Sequence, residues 1–307
     1  MDEPRTPKLI VLGVLNVDFV MEVGDERIGK KKMGRNISIH AGGHGSTQSI
    51  SAVRCGVPAA IIGRIGNDAF GLQIETTLRE EQVDCRYLTR TEGDHSGLAT
   101  IIVEEGQDNV FLDFLGANFQ LTAQDVDRCA HCLAEADLLA VHLGAVNMAA
   151  GTRAVELAHQ LGTQVLVTPD ASTKIPDVLW DRVDYLVMNM GQAAALCGLK
   201  GETPKTARIA AGLMSGRVRR AVVIHMDDNG VLLAKDGVLT TLDTAAECRI
   251  ADYSGATDCF VGVFGAELVK GAPVEEAAIK AHRAALLCSE RVGVYTSLPT
   301  GERLREL

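Results

Sequence analysis

Short apolar runs rich in β-favouring residues alternate along this chain with amphipathic stretches long enough to form helices. Strands that read as continuous apolar runs are buried on both faces, and strands that alternate with helices form parallel sheets. The alternation therefore predicts an α/β fold in which helices cover both faces of a mainly parallel sheet. The clearest runs lie at residues 9–12, 59–62, 138–143, 164–167, 185–188 and 221–224.

Two segments, at about residues 16–40 and 95–114, break this alternation. Their short alternating patterns, such as residues 99–103 followed by Gly106 and then 110–112, predict hairpin strands outside the main sheet. The chain shows no internal repeat, low-complexity segment or long linker. We therefore expect residues 1–307 to form a single domain that carries these strands as an appendage.

Composition and charge limit the kinds of molecule that this protein is expected to bind. Hydrophobic residues make up 47% of the chain and no apolar run reaches membrane-spanning length, which is typical of a soluble globular protein. A net charge of -10 argues against nucleic acid as a partner, because binding many phosphates needs a basic face. Residues 1–5 do not resemble a signal peptide, so a cytoplasmic location is expected.

Eight cysteines in such a chain are expected to be reduced thiols, most of them packed in the core. Cys129 and Cys132 form a Cys-x-x-Cys pair, which is also a spacing used by metal and redox sites. No second pair with matching spacing follows, and the pair lies on an amphipathic pattern. We expect packing rather than metal binding.

Residues 252–258 contain a turn of small residues that ends in a carboxylate, Asp258, where an apolar helical pattern begins. The pattern continues through Phe260, Val261, Phe264 and Leu268, which predicts that Asp258 lies in the first turn of a half-buried helix. The amides of such a turn attract an anion, and the carboxylate is able to accept a proton from a hydroxyl. The alternative is that Asp258 only caps the helix.

This segment resembles the second signature of the ribokinase family, the PfkB-type carbohydrate kinases. Four further motifs follow the order of that family: residues 13–18, the glycine-rich run 41–48, residues 63–71 and residues 116–118. The tail at 293–299 is also similar. The resemblance covers nearly the whole chain. It implies a ribokinase-like three-layer α/β/α sandwich with a small β-strand lid over a sugar, and a homodimer formed through that lid.

The same resemblance implies an ATP-dependent kinase that phosphorylates a hydroxymethyl group of a sugar or sugar-like molecule. Asp258 matches the general base, and Gly255, Ala256 and Thr257 match the amides that face the transferred phosphoryl group. The matched substrate-binding positions are Asn16, Asp18, Gly42, Gly43 and Thr47. From the residues alone, Asn16 and Asp18 are equally able to stabilise a turn after the first strand.

The nucleotide and cation sites are implied in the same way. Matched nucleotide positions are Asn189, Gln192, His225, Asp227, Gly230 and His282, with Mg²⁺ ordered near the first two. Asp227 is alternatively a solvated turn acid, and His282 is alternatively a packed residue of a helix at 275–291. Matched positions around a monovalent cation, K⁺, are Asp252, Ser254, Gly293 and Ser297.

The chain departs from the family pattern in both half-sites. Thr47 replaces an asparagine and His44 a lysine of the first signature, and Gly144 lies where many ribokinases carry a sugar-binding glutamate. Gln192 replaces a glutamate, which should weaken metal ordering because Mg²⁺ prefers charged oxygen ligands. The departures leave the sugar, sugar acid or nucleoside undetermined. Sugar phosphates are disfavoured because the matched substrate motifs contain no basic cluster.

Two hypotheses follow from these residues. The first is a carbohydrate kinase with Asp258 as base. The second is a ligand-binding or regulatory protein on the same scaffold, in which Thr47, Gln192 and Asp227 mark weakened catalysis. No P-loop pattern offers a different route to phosphoryl transfer.

Overall fold

The computed structural model describes residues 6–28, 31–104, 110–171, 173–242 and 248–307. Residues 1–5 and Gly106, which entered the sequence predictions, lie outside the described residues. The strands, numbered in chain order, are β1 Leu9–Leu12, β2 Asn16–Ile28, β3 Lys31–Gly42, β4 Ala59–Gly66, β5 Leu88–Thr91, β6 Gly97–Glu104, β7 Val110–Phe114, β8 Leu138–Leu143, β9 Gln164–Pro169, β10 Tyr185–Asn189, β11 Ala221–His225, β12 Val231–Lys235 and β13 Val238–Leu242.

The main sheet has the strand order β13-β12-β11-β10-β9-β8-β1-β4-β5. All its neighbouring pairs from β5 to β11 are parallel, whereas β12 and β13 complete one edge as antiparallel strands. The six apolar runs predicted as strands all belong to this sheet.

Ten α-helices surround the sheet within the described residues. They are α1 His44–Arg54, α2 Ala69–Glu80, α3 Ala123–Asp127, α4 Ala130–Glu135, α5 Met148–Leu161, α6 Met190–Leu196, α7 Pro204–Met214, α8 Ala256–Val269, α9 Val274–Ser289 and α10 Gly301–Arg305.

The continuous apolar runs have a direct explanation in the packing of β1. Leu9 and Val11 belong to the core that includes α1, α8 and α9, whereas Ile10 and Leu12 belong to the opposite core with α5 and α7. Successive side chains of a strand point to opposite faces, so a strand covered on both faces needs apolar residues at every position. The predicted three layers are confirmed.

Helix α8 is more deeply buried than its sequence pattern suggested. Most of its residues are buried, and Phe260 and Phe264 are fully buried between the sheet and α1 and α9. The prediction of a half-buried helix was therefore wrong, since α8 is covered by its two neighbours rather than exposed to solvent. The helix predicted at 275–291 is α9, which ends two residues earlier.

The small sheet has the order β3-β2-β6-β7. Strand β2 pairs antiparallel with β3 and parallel with β6, and β6 pairs antiparallel with β7. Asn16 and Asp18 are the first and third residues of β2, not residues of a turn, because the chain enters the small sheet within three residues of β1. We call this four-stranded sheet the lid.

Within the described residues, no helix combines the length and the apolar character needed to cross a membrane.

Candidate active site

Asp258 lies in the first turn of α8, at the carboxyl ends of the parallel strands and beside the base of the lid. It is 9% exposed. Its Oδ1 accepts a hydrogen bond of 2.8 Å from Gln48 Nε2, and both carboxylate oxygens contact His44 Nδ1, at 3.1 and 2.9 Å. The side chain is thus directed toward α1 and the glycine-rich loop rather than toward its own helix N-terminus. The helix-capping alternative is not what the structure shows.

His44 stacks on a second imidazole. Its ring centroid lies 3.6 Å from that of His142, with the planes 17° apart. His142 is the fifth residue of β8, is 2% exposed, and has no hydrogen-bond partner for either ring nitrogen among the described residues. Two rings at this distance cannot both carry a charge without strong repulsion, so one of them must stay neutral.

The pKa directions of these groups follow from that arrangement. Burial acts to lower the pKa of His44, but the charge and hydrogen bond of Asp258, with the charges of Asp170 and Asp18, raise it above its ordinary value. Burial and the charge of His44 hold the pKa of His142 well below its ordinary value. Burial acts to raise the pKa of Asp258, but His44, His142 and the Gln48 hydrogen bond lower it. His44 is the histidine that takes up a proton.

The turn before α8 is built on Gly255, whose φ is +78°. A Cβ there would lie 2.8 Å from Val294 Cγ1, so both the backbone angle and the packing require glycine. The Ala256 N–H already donates to the Tyr253 carbonyl at 3.1 Å. This bond lies within the turn itself, and the role of Ala256 toward the phosphoryl group stays a prediction. The N–H groups of Gly255 and Thr257 have no acceptor among the described residues.

The two predicted sugar-binding residues of β2 are buried at the base of the lid. Asn16 and Asp18 are both 7% exposed. A Cβ on Gly42 would lie 2.1 Å from Asp18 Oδ2, and a Cβ on Gly43 would lie 2.7 Å from the Val14 carbonyl. These glycines therefore permit close packing within the protein, not only close approach of a ligand as the sequence suggested.

Asp18 is a buried carboxyl without a hydrogen-bond donor among the described residues. Burial raises its pKa to about 6; His44 opposes the rise, and the charges of Asp113 and Asp258 add to it. Such a carboxyl gains when hydroxyl groups of a ligand donate to it.

Thr47 does not present its hydroxyl proton to the cleft. The side chain is 2% exposed and its Oγ1 donates to the Gly43 carbonyl at 3.1 Å, one helical turn earlier. A hydroxyl carries only one proton, so the predicted substrate-binding role of Thr47 would be to accept a hydrogen bond.

Asn118, which was noted only as part of a motif, belongs to the sugar half-site. Its Nδ2 donates to Asn16 Oδ1 at 3.2 Å and to the Leu15 carbonyl at 3.0 Å. A Cβ added to Gly144 would lie 3.2 Å from Asp170 Oδ2. A carboxylate from the end of β9 thus lies beside the position where the sequence lacks an acidic residue.

Asn189 and Gln192 form a reciprocal cap on α6. Asn189 Oδ1 accepts from the Gln192 N–H at 2.8 Å, and Gln192 Oε1 accepts from the Asn189 N–H at 2.9 Å. Asn189 Nδ2 also lies 3.3 Å from Thr257 Oγ1, which joins this cap to the first turn of α8. The glutamine side chain is therefore engaged with the backbone.

His225 and His282 are packed residues. Both are 1% exposed, their ring centroids are 5.1 Å apart, and His225 also contacts Phe260. Burial and the charge of His282 lower the pKa of His225 to about 3. The packed alternative for His282 is the one the structure shows, because no face of the ring is open to a base.

Asp227 follows His225 in a short turn that ends at Gly230. Its φ is +51°, and its carboxylate is 31% exposed. Burial, together with the charges of Asp228 and Glu202, raises its pKa. Gly230 has φ +84° and lets the chain reverse into β12. These residues form an acidic turn at the carboxyl end of β11.

The four predicted cation-site residues lie together. Asp252 Oδ1 accepts from the Ser254 N–H at 2.9 Å and its Oδ2 accepts from the Gly293 N–H at 3.0 Å. Ser297 Oγ lies 2.6 and 2.7 Å from the Gly293 and Val294 carbonyl oxygens, which share its single proton. Asp252 therefore bridges the loop before α8 to the loop after α9.

Cys129 and Cys132 are packed thiols, as expected. Both are 2% exposed, and burial raises the pKa of Cys129 to about 12. In the part of the chain that the structure describes, no group of three or more His, Cys, Asp or Glu side chains is placed to hold a metal ion.

The sequence profile of the pfkB family carbohydrate kinases matches residues 6–301, which is nearly the whole chain. The chain belongs to the pfkB family of carbohydrate kinases. It is similar to the ribokinase of Schizosaccharomyces pombe, with 28% identity over 305 residues and 95% of each chain covered. It is also similar to the deoxyribokinase of Salmonella typhi, with 26% identity over 270 residues and 87% of each chain covered.

A solved structure of Arabidopsis thaliana ribokinase, complexed with ribose and ATP, has the same fold. Its TM-score is 0.83 with 22% identity, and 98% of each chain is covered. The resemblance, the ribokinase-like fold and the enzyme class inferred from the sequence are confirmed.

Besides Asn118, three residues of the site were missed from the sequence as contributors. Gln48 lies within the glycine-rich run, where no role was predicted for it, and Asp170 follows an apolar strand at the edge where ligands bind. That position is a signal that could have found Asp170. His142 is a single polar residue in the apolar run of β8, and the run itself signals only a buried strand.

Proposed function

We propose that this protein transfers the γ-phosphoryl group of ATP to a hydroxymethyl group of a neutral sugar, with Asp258 as general base. One observation carries the proposal. Asp258 lies at the start of a 14-residue helix, and the N–H groups of Gly255 and Thr257 in the same turn have no acceptor among the described residues. A carboxylate beside open amides is suited to accept a hydroxyl proton while the amides face the phosphoryl oxygens.

The phosphoryl half-site depends on position rather than on covalent chemistry. The positive end of the α8 dipole and the two amides favour an anion at this turn. Asn189 contacts Thr257 and so connects the end of β10 to that turn. These groups support binding of the γ-phosphoryl group within reach of an oxygen that Asp258 activates.

Mg²⁺ fits this site only as part of a metal–nucleotide complex. Asn189 and Gln192 are neutral, and their side chains are engaged in the α6 cap. With the nucleotide, Mg²⁺ would neutralise charge on the phosphate oxygens. The carboxylate of Asp252 and the carbonyls of its neighbouring loop are oxygen ligands of the kind that K⁺ takes, so we include K⁺ as an activator.

The charge of the sugar half-site favours a neutral polyhydroxy substrate. Asp18, Asp170 and Asp258 all act on His44, and Asp113 of the lid acts on Asp18. In the described part of the chain, the positive charge that acts on both Asp18 and Asp258 is that of His44. An anionic sugar acid or sugar phosphate would meet net repulsion, whereas hydroxyl groups donate to carboxylates.

Turnover tests the proposal. Purified protein is incubated with ATP, Mg²⁺ and K⁺ and with ribose, deoxyribose, fructose, a nucleoside, gluconate or ribose 5-phosphate, and ADP release is measured. We expect release with a neutral sugar, and a loss of at least about 10²-fold in Asp258→Asn. Asp181→Asn is the matched control, since Asp181 is 82% exposed near the amino end of β10. Release that persists in Asp258→Asn would remove the assigned base.

One observation favours a second candidate, a sugar-binding regulatory protein with weakened catalysis. The Asp258 carboxylate is already engaged by His44 and Gln48. Calorimetry separates the two functions, because a regulatory protein would bind a sugar tightly and release no ADP under any of the conditions above.

A homodimer through the lid belongs to the same proposal. The β-sheet register places Ile37, Ile39, Val110 and Leu112 on the lid face opposite Asp18, and these side chains are 38–57% exposed. An exposed apolar sheet face of this kind is typical of an interface. Light scattering should give twice the 32.7 kDa of one chain, and Ile39→Lys should give the monomer.

A further inference from the structure

The contact between His44 and Asp258 has a consequence for the chemistry of the base. Asp258 Oδ1 accepts from Gln48 and contacts His44, and Oδ2 contacts His44 at 2.9 Å. Each oxygen therefore already has a protein partner before a substrate hydroxyl arrives. A positive charge next to a carboxylate also lowers its affinity for a proton, typically by one to three pKa units.

We propose that His44 is a positioning residue that keeps Asp258 inactive while its imidazole is protonated and releases the carboxylate to act as base once the imidazole has lost that proton. This inference rests on the proposed kinase function and adds a control of its base. The proton leaves to solvent, which the 38% exposed side chain of His44 can reach.

The groups around His44 explain why the protonation of this residue can control the base Asp258. Its neighbours are Asp258 on α8, Asp18 on β2, Asp170 after β9 and His142 on β8. The three carboxyls favour the protonated imidazole, whereas burial opposes it; the net effect is a pKa above the ordinary value of 6.5. The midpoint of the transition therefore lies above pH 6.5.

His142 fixes the ring that titrates. It stacks flat against His44 and its own nitrogens have no partner among the described residues, so it stays neutral and holds the plane of the His44 ring. The stack holds the plane of the His44 ring, with Nδ1 facing the carboxylate. Loss of the proton removes the positive charge beside Asp258, and this is what frees the carboxylate to accept a proton from the substrate hydroxyl.

The pH profile of kcat/KM for the best substrate tests the inference. In the unmodified protein we expect kcat/KM to fall about tenfold per pH unit below a midpoint above 6.5, because the protonated form is inactive. His44→Gln keeps an amide that can donate to Asp258 but does not titrate in this range. Its profile should lose this limb and fall only as Asp258 itself is protonated at lower pH.

His142→Phe is the matched control. Phenylalanine keeps a flat ring against His44 and removes the second imidazole, so the acid limb should remain. An acid limb that persists in His44→Gln would overturn the inference. If that limb also disappears in His142→Phe, the group that titrates is His142. A rate that falls as pH rises through the same midpoint would also overturn it, since the protonated form would then be the active one.

A measurement that needs no turnover complements the profile. NMR of the imidazole nitrogens should show His44 titrating above pH 6.5 in the unmodified protein. In Asp258→Asn the midpoint should fall, because burial remains and the main opposing charge is gone. An unchanged midpoint would overturn the inference even if His44→Gln failed to fold.

The assays also separate this inference from the proposed function. Absence of ADP release from the unmodified protein at every pH would overturn the kinase function and the control of its base together. Release with an acid limb that His44→Gln does not alter would overturn the role of His44 alone.

Discussion

Asn118 binds both backbone polar groups of Leu15, a residue 103 positions earlier in the chain. The Leu15 N–H donates to Asn118 Oδ1 at 2.8 Å, and Asn118 Nδ2 donates to the Leu15 carbonyl at 3.0 Å. Leu15 is fully buried at the point where the chain passes from β1 into the lid. This pair therefore fixes the start of β2, and with it Asn16 and Asp18.

Replacement of Asn118 by alanine should lower both stability and sugar affinity. The substitution leaves the buried N–H and C=O of Leu15 without their partner, at about 1–3 kcal/mol for each buried polar group. We expect the free energy of unfolding in urea to fall by about 3 kcal/mol, and KM for the sugar to rise more than kcat falls. Asn67→Ala is the control, because Asn67 bonds only an exposed glutamate through its side chain; it should change stability by less than about 0.5 kcal/mol.

The buried carboxyl of Asp18 should make stability depend on pH. Its pKa is about 6 in the folded protein against 3.8 for an ordinary aspartate, so the folded state holds its proton more tightly. The contribution of this proton to the free energy of unfolding is fully present below about pH 3.8 and is lost as pH rises through 6. The loss amounts to about 3 kcal/mol for a shift of this size.

Asp18→Asn should therefore be more stable than the unmodified protein at pH 8, by up to about 3 kcal/mol, while binding the sugar less tightly. The difference should shrink as pH is lowered toward 4. Urea unfolding of both proteins from pH 4 to 8 measures it, with Asp181→Asn as a control that shows no such trend. A difference that grows as pH falls would contradict the burial of this carboxyl.

Gln192→Glu should raise the affinity of the kinase for Mg²⁺. Glutamate is favoured at this position of a helix cap, so the bond to the Asn189 N–H is expected to survive. The added negative charge lies next to the proposed nucleotide site, where groups around metal ligands change affinity by about 10–100-fold. We expect the Mg²⁺ concentration for half-maximal ADP release to fall about tenfold. An unchanged value, at an unchanged melting temperature, would show that the metal lies beyond the reach of residue 192.

Local patterns were sufficient to predict much of this molecule. The strands of the main sheet are covered on both faces, so each is a continuous apolar run that is visible without any partner. Asp258 was placed in the first turn of a helix because the small-residue turn and the apolar spacing of α8 are adjacent in the chain. Both predictions depend only on residues a few positions apart.

The chemistry around Asp258 could not be predicted in this way. His44 and Gln48 are 214 and 210 residues from it in the chain, so the bonds exist only after α1 and α8 pack together. The Ala256 N–H was assigned to a ligand but bonds the Tyr253 carbonyl, since a tight turn satisfies some of its own groups. Thr47 likewise bonds its own helix. In both cases a backbone carbonyl competes with the ligand for the same donor. Local geometry decides that competition, and residue types alone do not specify it.

Asp252 joins the loop before α8 to the loop after α9, and we expect the enzyme to respond to monovalent cations bound there. Its carboxylate joins the Ser254 N–H to the Gly293 N–H, and the neighbouring carbonyls of Gly293 and Val294 are held by Ser297. A cation bound here would fix the loop that leads into Gly255 and so position the amides that face the phosphoryl group. We expect K⁺ to raise kcat about fivefold or more over a bulky organic cation, the range of ordinary coupling between two sites. Asp252→Asn keeps an acceptor oxygen and loses the charge, so it should fold with a similar melting temperature but respond little to K⁺. An equal response to K⁺ in both proteins would place the cation, if one binds, away from Asp252.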